Sequence, residues 1–288
     1  MEAQVADTPK TLRTLLAEDP MSREAQEIAA QQRISTPQSR ERLAAQTGTL
    51  GEQGYVVLPG LLAPERVAGI RADMDRLHGF LPLGGDSFFG TRSQRIFNIL
   101  QKMPSVHALA MHEDIISLIE GYLDDQIQLS STASNSIHPG QAAQALHQDD
   151  TYYRISRPRA PLSVTCVWAI DDFTDENGAT TLTPGSHRLT AYARSDLPTV
   201  QATATAGSAV VWDGAMWHGA GANCSDQVRR AIIFTYVRGW LRPQENLFLS
   251  LSRETVQAMP RTLQRLCGWW VVGGVLGQVE GESPLKSL

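Results

Sequence analysis

The chain has 288 residues, of which 42% are hydrophobic and 19% charged, and its net charge is −5 at neutral pH. This composition fits a soluble globular protein and gives no basic footprint for nucleic acid or an anionic membrane. Three cysteines, Cys166, Cys224 and Cys267, are scattered with no Cys-x-x-Cys pair, which speaks against a disulfide framework or zinc knuckle and for a reducing, cytoplasmic setting.

Residues 1–50 read as an N-terminal helical arm. Thr8 and Pro9 suit the N-cap and first position of a short helix to Ala17, and Ser22–Gln32 is rich in Ala, Glu and Gln. Thr36-Pro37-Gln38-Ser39 reads as a break. Neither helix carries a wide apolar stripe, so the arm is expected to lie on the surface or to serve self-association, leaving room for a homodimer.

Residues 51–288 read as a single domain. Tyr55–Leu58 is a short apolar run between Gly54 and Pro59-Gly60, a strand signature. A helix starts at Pro64, carries Val67, Ile70, Met74 and Leu77 at helical spacing and stops at Gly79. Gly and Pro punctuate 81–90 as a loop. In 91–98, Arg92 and Arg95 stand beside an apolar run, either as solvated charges at a strand edge or as contacts for an anion near a site. Residues 106–111 and 113–123 read as two helical pieces, the second with Ile115, Ile116, Leu118 and Ile119 as its buried face.

From residue 126 the texture changes. Short apolar runs recur at 127–129, 162–170, 179–183, 209–212 and 231–237, separated by Gly, Pro, Asn and Asp, the pattern of a β-sandwich or barrel. A closing helix over 252–267 is expected to break at Pro260. The fold class is therefore mainly β with flanking helices, its β core at roughly 126–240.

The β region holds the suggestive chemistry. In His147-Gln148-Asp149 an imidazole and a carboxylate stand two residues apart, which on an extended strand puts them on one face, about 6.6 Å apart. His218, in Trp217-His218-Gly219, is a candidate third ligand, just before glycines that let backbone approach closely. Two histidines and one carboxylate match the facial triad of non-haem Fe(II) oxygenases. In Arg229-Arg230-Ala231-Ile232-Ile233 both strand faces are largely apolar, so one arginine is directed inward, where it needs an anion.

Together these residues resemble the phytanoyl-CoA dioxygenase family. The resemblance rests on His147-Gln148-Asp149, the segment from Asn177-Gly178 to Thr183-Pro184-Gly185-Ser186-His187, His218-Gly219-Ala220-Gly221, and an arginine eleven residues after the distal histidine. It spans roughly 54–251. It implies a double-stranded β-helix (jelly-roll, cupin-like) core and an Fe(II)- and 2-oxoglutarate-dependent dioxygenase that consumes O2. It further implies iron on His147, Asp149 and His218, the far carboxylate of 2-oxoglutarate on Arg229, and Gln148 and Trp168 lining the co-substrate pocket. Arg92 is carried as a further anion contact, for 2-oxoglutarate or a substrate acid. His187 falls in a turn near the site and is not taken as a ligand. Related halogenases replace the ligand carboxylate by Gly or Ala; the retained Asp149 implies hydroxylation or another oxidation.

The expected substrate is a small, mostly apolar metabolite, with a role in natural-product biosynthesis. Tyr152, Tyr153 and Trp217 are available to line its pocket, whereas Phe88 and Phe89 read as core. The basic cluster Arg154, Arg157 and Arg159 is either a solvated loop or a patch for an acyl-CoA. A cupin-type isomerase or hydrolase and a non-catalytic metabolite-binding barrel stand as alternatives.

Overall fold

The computed structural model describes residues 33–123, 126–189 and 197–288. The two helices read within 1–32 lie outside the described residues. The break read at Thr36 is instead a helix start. Thr36 accepts from the Ser39 amide at 3.1 Å while the Ser39 hydroxyl receives the Thr36 amide at 3.1 Å, a reciprocal cap that opens α1 (Pro37–Arg42). α2 (Ala44–Gln53) follows and ends at Gly54, whose φ of 83° is the left-handed conformation glycine tolerates. Leu43 and Leu50 are buried in the main core. Upstream of α1, the backbone amides of Ile34 and Ser35 both donate to the buried Glu120 carboxylate. Residues 34–53 are thus docked on the domain rather than trailing from it.

β1 (Tyr55–Leu58) leads to α3 (Pro64–His78), which buries Val67, Ile70, Met74 and His78 and is started by Pro64, whose missing N–H costs nothing in a first turn. β2 (Ser93–Phe97) and α4 (Glu113–Leu123) come next. β3 spans Ile127–Ile137, far beyond its apolar start, and is followed by β4 (Ser163–Ala169), β5 (Thr180–Leu182), β6 (Val200–Ala202), β7 (Ala209–Asp213), β8 (His218–Ala220) and β9 (Arg229–Arg238). The closing helix is broken at Pro260 into α5 (Arg253–Ala258) and α6 (Arg261–Leu266).

Six strands form one antiparallel sheet in the order β1-β7-β4-β9-β3-β2, and β6-β5-β8 form a smaller sheet. Strand alternation gives the large sheet two characters. Val164, Cys166, Trp168, Ile232, Phe234 and Tyr236 point outward into the main core, which α2, α3, α4, α5 and α6 cover. The opposite positions, among them Thr165, Val167, Arg229, Ala231, Thr235, Asn135 and Arg95, face inward. Registers align Arg95 with Asn135, Asn135 with Ala231, and Thr165 with both Thr235 and Trp212, so the inner face is a set of known rungs. A second, smaller core of Val167, Phe173, Leu182, Val210, Trp212 and Met216 fills the space toward the small sheet.

Candidate metal centre

His147 and His218 are brought together by backbone. The two residues form an isolated antiparallel bridge, exchanging N–H···O bonds of 2.8 and 2.9 Å, so their side chains lie side by side with ring centroids 4.3 Å apart. After His147 the chain leaves the bridge and turns, so the extended-strand spacing expected for His147 and Asp149 is replaced by a tighter convergence. Asp149 Oδ1 lies 3.7 Å from His147 Nε2 and 3.5 Å from His218 Nε2. One donor atom from each of the three residues falls within 4.8 Å of the others, the only such His/Cys/Asp/Glu group among the described residues.

The ring nitrogens are already assigned by their neighbours. His147 Nδ1 lies 3.1 Å from Ala145 O and His218 Nδ1 lies 3.0 Å from Met216 O. Each carbonyl requires a proton on Nδ1 and leaves the Nε2 lone pair free to face the common centre, the way metal-binding histidines are held. Burial, followed by the neighbouring His218, pushes the His147 pKa down to about 4. Burial also works to lower His218, but the adjacent Asp149 carboxylate outweighs it and the pKa is raised. Burial alone would raise Asp149; His218 and His147, with hydrogen bonds from His218 and Thr165, hold it below the usual carboxylate range. A neutral imidazole pair and an ionised carboxylate form a donor set that fits Fe(II).

Asp149 Oδ2 accepts the Thr165 hydroxyl at 2.7 Å, and Thr165 Oγ1 is 3.1 Å from Thr235 Oγ1. A hydroxyl has one proton, so Thr235 donates to Thr165, which donates to Asp149. The next residue, Asp150, is fully buried and paired with Arg157 at 2.9 Å and Arg159 at 2.6 Å. Two of the three arginines of the basic cluster are therefore committed to one carboxylate and are neither solvated nor open to a phosphate. Gly219 is required here because a Cβ would sit 2.9 Å from Gln144 O. The glycine admits backbone beside the histidine, rather than the metal itself.

Arg229 points inward and is buried, with its guanidinium carbon 4.4 Å from the Phe173 ring centroid and no hydrogen-bond partner at Nε. Burial pulls its pKa down to about 10, with the Asp171 carboxylate working the other way. Arg230 points outward to Asp171 and Asp75 at 2.9 and 2.7 Å.

Three expected positions move. Trp168 is fully buried on the outer face, its ring 5.4 Å from that of His112, because strand alternation turns it away from the inner side; Thr165 and Val167 face in instead. Gln148, between two inward residues, turns its carboxamide to Ala215 O and secures the β7–β8 turn that leads to His218. Arg92 is exposed and donates to Pro139 O at 2.6 Å; Arg95, three residues on, lines the inner cleft. Phe88 and Phe89, expected in the core, are 42% and 37% exposed, and Phe88 lies edge-on to His147 with centroids 4.9 Å apart. His187 is occupied with Gly51 O at 3.1 Å, and its ring fills the place a side chain at Gly54 would need. Thr165 carried no sequence signal beyond being a hydroxyl in an apolar strand.

A family model described as "Phytanoyl-CoA dioxygenase (PhyH)" matches residues 50–231. The chain is similar to the dioxygenase FrzG of a Cladobotryum species, 28% identical, covering 82% of this chain and 90% of that protein. It is 31% identical to the dioxygenase olcK of Penicillium canescens, over 83% of this chain and 87% of that protein. Among solved structures it is similar to the non-heme alpha-ketoglutarate-dependent epimerase SnoN from nogalamycin biosynthesis. The TM-score is 0.61 at 25% identity, covering 74% of this chain and 89% of that one. The fold is accordingly that of the jelly-roll oxygenases.

Proposed function

The chain belongs to the phytanoyl-CoA dioxygenase family, and from that premise we propose that it is an Fe(II)- and 2-oxoglutarate-dependent dioxygenase. Its substrate is a small, mostly apolar metabolite, oxidised at an unactivated C–H bond. The observation that carries the reading is the convergence of His147, Asp149 and His218, with a buried, unsatisfied arginine on the same inner face.

In this reading His147 Nε2, Asp149 Oδ1 and His218 Nε2 hold the iron on one side and leave the opposite side open. Arg229 pairs with the far carboxylate of 2-oxoglutarate, for which its planar fork is suited. Iron with 2-oxoglutarate and O2 supplies the oxidising power that breaks the C–H bond, with succinate and CO2 as co-products. Thr165 and Thr235 fix the carboxylate of Asp149, and the Ala145 and Met216 carbonyls fix the two imidazoles. Trp212, 4.9 Å from the His218 ring, and Phe88 on His147 wall the centre with apolar surface. Phe97 and Tyr152, 48% and 47% exposed, add apolar surface to the domain, consistent with an apolar substrate. The retained carboxylate of Asp149 favours hydroxylation or another oxidation over halogen transfer. SnoN, named for nogalamycin biosynthesis, supports a role in making a natural product.

No helix among the described residues is long and apolar enough to cross a membrane. Cys166 and Cys267 are buried thiols and Cys224 is free, which supports a reducing, cytoplasmic setting. The test is anaerobic reconstitution with Fe(II) and 2-oxoglutarate. A visible metal-to-ligand charge-transfer band that needs both components, followed by succinate release on admitting O2, is expected. A protein that binds Fe(II) but never develops the band is not this enzyme.

A further inference from the structure

The inner face holds a second cation that the catalytic reading leaves without a partner. Arg95, on β2, is two strands from Arg229 and shares a rung with Asn135. Its guanidinium carbon lies 4.9 Å from the Phe89 ring centroid and 5.9 Å from that of Phe97. Its Nε is buried with no hydrogen-bond partner, and none of the described residues offers the guanidinium an acceptor within bonding distance. Asn135 Oδ1, beside it, is also buried and unsatisfied. Both residues line a cleft of about 220 Å³ that also takes in Phe88, Phe89, Ile137 and Gln144. Phe88 joins this cleft to the metal centre, since its ring packs on His147.

Charge decides what belongs there. Divalent iron, the Asp149 carboxylate, doubly charged 2-oxoglutarate and Arg229 cancel one another. The other carboxylates near the inner arginines are spent: Asp171 on Arg71 and Arg230, and Asp150 on Arg157 and Arg159. Arg95 therefore leaves the loaded site with a cation over, in a place where an uncompensated charge is costly. A planar fork held between two aromatic rings presents its N–H edge to a planar anion. A phosphate would call for further cations, but Arg92 is turned to Pro139 O.

We propose that Arg95 binds a carboxylate of the substrate, so that the substrate class is an apolar carboxylic acid whose acid group lies in the Phe88–Phe89 cleft and whose hydrocarbon reaches the metal. This rests on the dioxygenase reading above. Arg95 then sets which molecule is oxidised, and Arg229 serves the co-substrate.

The experiment is an anaerobic titration of the Fe(II)–2-oxoglutarate protein with decanoate, cinnamate and 1-naphthoate, and with the matching primary amides. Intrinsic tryptophan fluorescence and melting temperature report binding. At least one acid is expected to bind roughly tenfold or more tighter than its amide, the scale of a charge-assisted contact. Arg95→Gln is expected to erase that preference and Arg95→Lys to keep part of it. The half-saturating 2-oxoglutarate concentration, read from the charge-transfer band, is expected to stay unchanged in both variants. Acids and amides binding alike to the wild type, or a preference that survives Arg95→Gln, overturns the proposal. So does a loss of 2-oxoglutarate affinity in Arg95→Gln, which would assign the residue to the co-substrate. Absence of the band in the wild type overturns the dioxygenase reading itself, and is seen before any acid is added.

Discussion

The two faces of the six-stranded sheet are made by alternate residues of the same strands, yet they differ in what they leave unfinished. The outer face is closed: Trp168, Phe234 and Ile232 are fully buried under helices, and the Tyr236 hydroxyl donates to Ala110 O at 2.9 Å. The inner face is open to chemistry. It holds the guanidinium groups of Arg229 and Arg95 with unsatisfied Nε atoms, and it supports Asp149 through Thr165. The difference teaches that stability and activity are separated here by strand alternation, one residue apart.

Substitutions on the two faces should therefore fail in different ways. The largest effect is expected for Asp149→Ala, which removes the only carboxylate of the triad. 2-Oxoglutarate-coupled turnover should fall by on the order of 10³-fold or more, with the far-UV spectrum and melting temperature near wild type. Wild-type succinate release by this variant would sink the ligand assignment. On the outer face, Trp168→Ala should cost about 3–5 kcal/mol of stability. Denaturant unfolding would read that loss, and turnover per folded molecule at low temperature should be kept. If turnover fell while stability held, the separation of faces would be wrong.

Next comes Arg229→Leu, expected to cost roughly 2–5 kcal/mol in 2-oxoglutarate binding. It should be read as a raised half-saturating concentration at the charge-transfer band, without loss of Fe(II) binding. Because the change also removes a buried charge, the unliganded variant should be at least as stable as wild type. The smallest expected effect belongs to Thr165→Val, which keeps the shape but not the hydrogen bond to Asp149. Fe(II) affinity should drop about 10-fold, the low end for a residue that orients a ligand, with 2-oxoglutarate affinity unchanged once iron is saturating. Equal loss of both affinities would make Thr165 a packing residue.

How much of this was readable beforehand follows the same division. Apolar runs announced β1, β4, β7 and β9, and the spacing of Val67, Ile70 and Met74 announced α3. The second half of β3, from Ser130 to Ile137, did not announce itself. Small hydroxyl and amide side chains occupy both its faces, and its pairing with β2 and β9 supplies the order that hydrophobicity does not. The three triad residues were legible because ligand chemistry restricts residue type. Face assignment was not: β4 is apolar on both sides, so nothing local says that Thr165 looks in and Trp168 looks out. The Arg92 and Arg95 pair was ambiguous for a related reason, since three residues along an edge strand with an uncertain start change the face. Thr36-Pro37 read as a break because the signals that end one helix also begin the next.

The pairing of Asp150 with Arg157 and Arg159 has a consequence for how the enzyme is loaded and repaired. The carboxylate beside it, Asp149, is set in place by this ion triad on one side and by Thr165 on the other, using protein groups alone. The ligands do not wait for the ion to assemble them, as they do in small zinc modules that unfold when stripped. Iron is then an exchangeable part: an oxidised ion can be removed by a chelator and a fresh ferrous one admitted, with the polypeptide folded throughout the cycle.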